Sequence, residues 1–150
     1  MDQLEIRTQE YKLSEDGRQR ILKLKQPYPS SRSALLPALH VVQEEFGFIP
    51  AGPMAEVAEM LEVLQGDVEQ VVTFYRMYNQ APVGRFHLKI CDSISCYLRG
   101  SDELIEQAKQ KLGVGLNQTT ADGQVTLAKI ECLAACGGAP CLQVNDEYVY

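Results

Sequence analysis

The chain has 150 residues, 45% of them hydrophobic and 23% charged, with eleven glycines and seven prolines. That length suits one domain or two small ones, and the composition is that of a globular protein rather than a disordered one. A formal net charge of -6 excludes a binder of the phosphate backbone, which needs a basic stripe, so nucleic acid is not an expected partner.

Residues 1–26 are strewn with charge and lack the apolar core of a signal peptide, which places the chain in the reducing cytoplasm. A first helix is predicted from about Glu15 to Lys25, ended by Pro27. A second runs from about Ser33 to Phe46, with Gly47 as its stop and Ile49-Pro50 as an extended exit. Met54, Val57, Ala58, Leu61 and Leu64 share the apolar face of a third, while Glu56, Glu59 and Glu62 make a solvated stripe on another face. Asp67, three residues before Gln70, reads as the N-cap of a fourth, whose apolar face is Val68, Val71, Val72 and Tyr75. Residues 1–80 are therefore expected to form a helical domain of about four helices, a candidate surface for partner docking. The most apolar run, residues 34–42, is short and interrupted by Pro37 and His40, so direct membrane insertion is excluded and any membrane association goes through a complex.

After Pro82 the pattern changes to alternation and turns. A strand is predicted over Arg85 to Ile90, then a helix capped by Ser101, with Leu104, Ile105, Ala108 and Leu112 on one face and Gly113 at its end. Asp122-Gly123 marks a turn before a strand over Gln124 to Ile130. Leu142 to Val144 and Tyr148 to Tyr150 read as a terminal hairpin. The order is strand, helix, strand, strand, strand: an α/β (α+β) second domain over residues 81–150.

Four of the five cysteines form two close pairs, Cys91 with Cys96 and Cys132 with Cys136, separated by 35 residues. Each pair follows a predicted strand, so two loops bring two thiols each toward one ion. A 2Fe-2S cluster takes four thiolates, two per iron, and one cluster would use all four. Structural zinc takes the same donors at similar spacings, and spacing alone leaves it open. A disulfide framework is opposed by the reducing setting and the odd cysteine count, and a thioredoxin-type dithiol needs a two-residue gap that is absent. Cys141, just after Pro140, reads as a small buried hydrophobe rather than a ligand.

Ala38-Leu39-His40 to Gly47-Phe48-Ile49-Pro50, Val71 to Tyr78, Cys91 to Cys96, and Glu131-Cys132-Leu133-Ala134-Ala135-Cys136 through Ala139-Pro140 together resemble one family. It is the thioredoxin-like 2Fe-2S subunit of NADH:quinone oxidoreductase, complex I. Similar small subunits serve NAD-linked, bifurcating hydrogenases and formate dehydrogenases. The resemblance covers nearly the whole chain and favours the cluster over a zinc-stabilised interaction module. It implies Cys91, Cys96, Cys132 and Cys136 as ligands of one 2Fe-2S cluster, and an N-terminal helical bundle followed by a thioredoxin-like domain. It also implies a cis-proline at Pro140 and a final helix after Tyr150 whose absence would leave a sheet face for a partner. Cys141 stands where the family usually has another residue.

The function implied is that of a one-electron carrier in an NADH-oxidising flavoprotein complex. FMN and NAD(H) are expected on a flavin- and NADH-binding partner, alongside further iron-sulfur subunits. This agrees with the chain itself, since Gly113-Val114-Gly115 follows a helix and lacks the third glycine of a dinucleotide loop. No catalytic nucleophile with an adjacent base emerges, and His40 and His87 read as structural. Backbone N–H groups near Gly137-Gly138 are expected to tune the cluster sulfurs, whereas Lys89, Arg99 and Lys129 read as solvated. Phe74, Tyr75 and Tyr78 suit either a core or a docking surface.

Overall fold

Ser14 starts the first helix, its hydroxyl accepting a hydrogen bond from the Gly17 N–H at 3.0 Å. In the computed structural model, which describes residues 10–149, this helix α1 spans Glu15–Lys25, with Glu15 and Asp16 in its first turn and Lys23 and Lys25 in its last. That charge order complements the helix dipole. A 3-10 turn, Ser31–Ala34, leads into α2, Leu35–Phe46. Pro37 lies in the first turn of α2, where a missing N–H removes no intrahelical bond. Gly47 ends α2 at φ 78°, a left-handed conformation that a glycine adopts without steric cost.

Two expected helix limits move. The third helix, α3, spans Ala51–Leu61 and stops there because Glu62 turns left-handed at φ 56°, so Leu64 falls outside it. The fourth, α4, spans Gln65–Phe74 with Leu64 at its N-cap, which places Asp67 in the first turn rather than at the cap. Asp67 instead pairs with Arg32 at 2.9 Å. Tyr75 lies just beyond the end of α4, and both it and Phe74 are exposed. Glu56 also departs from the solvated stripe: it accepts Arg18 Nε at 2.9 Å and the Leu13 N–H at 3.0 Å.

Around Ile21, Leu39, Val42, Val57, Leu61 and Val68, all fully buried, the four helices share one core. The segment after α4 folds back onto it. Tyr78 is buried and donates its hydroxyl to the Leu36 carbonyl at 2.9 Å, while Gln43 Nε2 donates to the Met77 carbonyl at 2.9 Å.

The division between the chain's two compact units falls between Pro82 and Val83. The second unit holds a five-stranded sheet in the order β2-β3-β1-β4-β5. Its elements are β1 (Phe86–Cys91), α5 (Ile94–Leu98), α6 (Ser101–Leu112), β2 (Gln118–Thr119), β3 (Val125–Ile130), a 3-10 turn (Cys136–Gly138), β4 (Leu142–Val144) and β5 (Glu147–Val149). Two of these, α5 and β2, escape the sequence pattern because they are only five and two residues long. Tyr150, expected in the hairpin, lies outside the described residues. Gly100, at φ 93°, is the N-cap of α6, so Ser101 is its first residue and is fully buried instead of capping.

β1 and β3 are parallel, with Phe86 opposite Val125 and Cys91 opposite Ile130. A parallel pair needs a long crossover, and α6 lies within it. Ile90 and Leu127 pack against Ile105 of α6, with Leu88, Leu104, Ala108 and Leu112 around them. Strand alternation puts His87, Lys89 and Cys91 on the opposite face from Leu88 and Ile90. Lys89 is buried rather than solvated, and its ammonium is pushed down by that burial.

Candidate metal centre

Parallel pairing decides where the cysteines go. Because β1 and β3 run side by side in the same direction and end level, both loops leave the sheet at the same end. The Asp92 N–H donates to the Ile130 carbonyl at 3.0 Å, and the Asp92 carboxylate meets Lys129 Nζ at 2.7 Å. The loops are thereby tied at their bases. Lys129 is thus a paired residue rather than a free solvated one.

Cys91 is the last residue of β1, and Cys96 lies in α5, three residues into that short helix. Both are buried. The second loop is fastened by Leu133, whose side chain is buried among Cys91, Cys96 and Cys141, with Ile130, Ala135 and Ala139 packed around them. The Leu133 carbonyl also accepts the Tyr148 hydroxyl at 3.0 Å. Ala134 then turns left-handed at φ 57°, and its N–H donates to Cys132 Sγ at 3.3 Å. Cys132 and Cys136 flank this anchor and remain exposed.

Gly138 does not serve sulfur as expected. Its N–H is spent on the Ala135 carbonyl at 3.0 Å, closing the turn, and it is the Ala134 N–H that reaches the Cys132 sulfur. Gly137 is exposed and a Cβ there would meet nothing within 4 Å, so its backbone faces open space beside Cys136.

Cys141 is buried, as a small hydrophobe would be, yet it does not sit apart from the other thiols. The Ala139-Pro140 peptide is cis, and β4 then runs antiparallel to β1 with Leu142 opposite Ile90. That register sets the Cys141 carbonyl against the Cys91 N–H at 3.1 Å. The Cys141 and Cys96 sulfurs are 3.6 Å apart. Among the described residues the sulfurs of Cys91, Cys96 and Cys141 all lie within 4.8 Å of one another. The structure thus brings together two of the four expected ligands with the unassigned fifth thiol, and holds the other two on the adjoining exposed loop.

Two of these thiols are driven in opposite directions. Burial works to raise the Cys91 thiol, but hydrogen bonds from the backbones of Ser93 and Leu133 and from the neighbouring thiols outweigh it and hold Cys91 below its ordinary value. Burial, reinforced by Cys96 and Cys91, pushes Cys141 up to about 12. Metal ligands are thiolates, so the downward shift favours Cys91 as a ligand. The donor chemistry is soft throughout: thiols on two loops in an apolar surround, with a backbone donor on sulfur, which a 2Fe-2S cluster accepts.

Residues 21–150 match the family model for the thioredoxin-like [2Fe-2S] ferredoxin. The chain belongs to that family. Among its relatives, an NADH-quinone oxidoreductase subunit of Rhizobium meliloti (strain 1021) is 45% identical over 121 residues, 81% of this chain and 72% of that protein. The corresponding NADH-quinone oxidoreductase subunit of Pseudomonas aeruginosa is 39% identical over 142 residues, 95% of this chain and 86% of that protein. Among solved structures, an NAD+-reducing [NiFe]-hydrogenase in the air-oxidised state aligns with a TM-score of 0.63 at 22% identity. It covers 76% of this chain, which spans only 19% of the hydrogenase chain, and it establishes the shared fold alone. For this ferredoxin-family chain the expected α+β architecture with a thioredoxin-like domain is borne out, and the family description carries the 2Fe-2S cluster, against which spacing alone left zinc open.

Proposed function

We propose that the chain is the one-electron-carrying 2Fe-2S subunit of an NADH-oxidising flavoprotein complex of the NADH-quinone oxidoreductase type. The observation that carries this reading is the 39–45% identity to NADH-quinone oxidoreductase subunits over 81–95% of the chain. The hydrogenase likeness supports the fold and no more, so an NAD-linked hydrogenase or formate dehydrogenase stands as the second owner of such a subunit.

Cys91 and Cys96 from the first loop, and Cys132 and Cys136 from the second, would hold the cluster. When bound, a 2Fe-2S cluster accepts and returns a single electron. The chain's own residues do the rest. Leu133 keeps the second loop seated against the buried thiols, the Ala134 N–H stabilises negative charge on Cys132 sulfur, and the Asp92–Lys129 pair fixes the loop bases. Ile130, Ala135 and Ala139 supply apolar surroundings on one side of the inner thiols.

FMN and NAD(H) belong on a partner in this reading, because the chain has no dinucleotide loop. Apolar side chains beside the cysteines support such a partner: Ile94 and Leu98 of α5 are 71% and 75% exposed, with Tyr97 between them half-exposed. In the helical unit, Phe74, Tyr75 and Met77 are likewise exposed and make a second candidate docking surface, whereas Tyr78 is core. Among the described residues no helix is long and apolar enough to cross a membrane.

Anaerobic addition of NADH to the purified chain is expected to leave the cluster oxidised, and addition of the co-purifying flavoprotein with NADH to produce the reduced EPR signal. Direct reduction by NADH alone, or recovery of no flavoprotein by mass spectrometry of the native assembly, would count against the proposal.

A further inference from the structure

The proposed ligand set leaves Cys141 without a part, yet its sulfur is 3.6 Å from that of Cys96 and within 4.8 Å of Cys91. Thiolates bound to tetrahedral zinc at about 2.3 Å stand about 3.8 Å from one another. One edge of such a site therefore already has coordination length, and the others need to close by about 1 Å at most. All three thiols are buried.

Their placement also differs in kind from that of Cys132 and Cys136. Cys91 ends a strand, and Cys141 is locked beside it by the backbone hydrogen bond at 3.1 Å and by the β1–β4 register. Cys96 stands on α5 and closes the triangle. The strands and α5 together preorganise these three, while the other pair sits on an exposed loop.

We infer that, before the cluster is loaded, Cys91, Cys96 and Cys141 form a three-thiol site for a single thiophilic divalent ion, zinc or ferrous iron, with water in the fourth position. Binding is coordination without redox change: the dication replaces three thiol protons, which leave to solvent. Soft donors select ions of this class over magnesium or calcium. The consequence rests on the function proposed above: Cys91 and Cys96 serve both sites, so a bound ion and the cluster compete for them.

Cobalt(II), added anaerobically to the reduced, cluster-free full chain, tests the site without requiring any cluster chemistry. A Cys132→Ser/Cys136→Ser chain is expected to bind one cobalt with sulfur-to-cobalt charge-transfer absorption. Adding Cys141→Ser should remove one thiolate's share of that absorption and weaken binding by more than about tenfold. Cys141→Ala, which keeps the pocket apolar, should give the same loss with an unchanged far-UV circular dichroism spectrum. Loss of cobalt binding in the Cys132→Ser/Cys136→Ser chain, or binding indifferent to both Cys141 substitutions, would overturn the inference. The competition is read separately: zinc added first should slow cluster reconstitution more in the wild type than in Cys141→Ala, and equal slowing would refute it.

Discussion

Cys91 and Cys141 show how two thiols in one buried nest acquire different roles. Backbone N–H groups around Cys91 favour its thiolate, while Cys141 has only burial and other sulfurs for company and is held as a neutral thiol. Cys132→Ser is accordingly expected to shift the EPR spectrum of the reduced cluster, because it replaces a proposed ligand whose sulfur also accepts the Ala134 N–H. Cys141→Ala should leave cluster content and spectrum in place; loss of the visible chromophore in that variant would show that Cys141 is a ligand of the loaded centre. His87 provides a separate test. Burial first, and then the charge of Lys89, lowers its pKa to about 4, and its Nδ1 is buried without a hydrogen-bond partner among the described residues. In the unfolded chain the ring titrates near 6.5. Between these values the unfolded state binds more protons, so stability falls as the pH drops from 6.5 toward 4. The slope from this one ring is at most about 1.4 kcal/mol per pH unit, reduced by the solvent that still reaches it. Urea unfolding at pH 7 and pH 5 should therefore show a smaller difference in His87→Gln than in the wild type.

At the scale of elements, the site exists because β1 and β3 are parallel and end level. The helix faces were legible in the sequence, since the 3.6-residue repeat directly encodes the buried side of α3, α4 and α6. Helix ends were less so. Leu64 stands at the N-cap of α4 with no side-chain hydrogen bond, Asp67 is drawn to Arg32, and Gly100 takes the cap position that Ser101 was expected to hold. In each case a residue with capping chemistry stood within a turn of a start fixed by tertiary packing. The cysteine pairs were legible because each is local, whereas the place of Cys141 beside Cys91 depends on strand register between residues 50 apart, which no local pattern encodes. Leu133 was hidden for the same reason. Its buried side chain is what seats the second loop, so Leu133→Ala should destabilise the second unit by about 2–4 kcal/mol and accelerate cluster loss. Denaturant unfolding and the decay of visible absorption in air would measure both, and a variant as durable as the wild type would deny Leu133 that role.

On the scale of the whole molecule, the chemistry is concentrated in one unit. All five cysteines lie beyond Val83, and the helical unit contributes a packed core and exposed apolar side chains but no thiol. An acidic chain with one electron-carrying centre and no nucleotide loop is understandable as part of a larger oxidoreductase, in keeping with its relatives among NADH-quinone oxidoreductase subunits. The central claim is that Cys91, Cys96, Cys132 and Cys136 hold one 2Fe-2S cluster. Metal and acid-labile sulfide analysis of the anaerobically purified chain, joined to EPR after dithionite reduction, tests it most directly. About two irons and two sulfides per chain are expected, with a signal from one reduced cluster. A colourless protein carrying one zinc and no labile sulfide would contradict it.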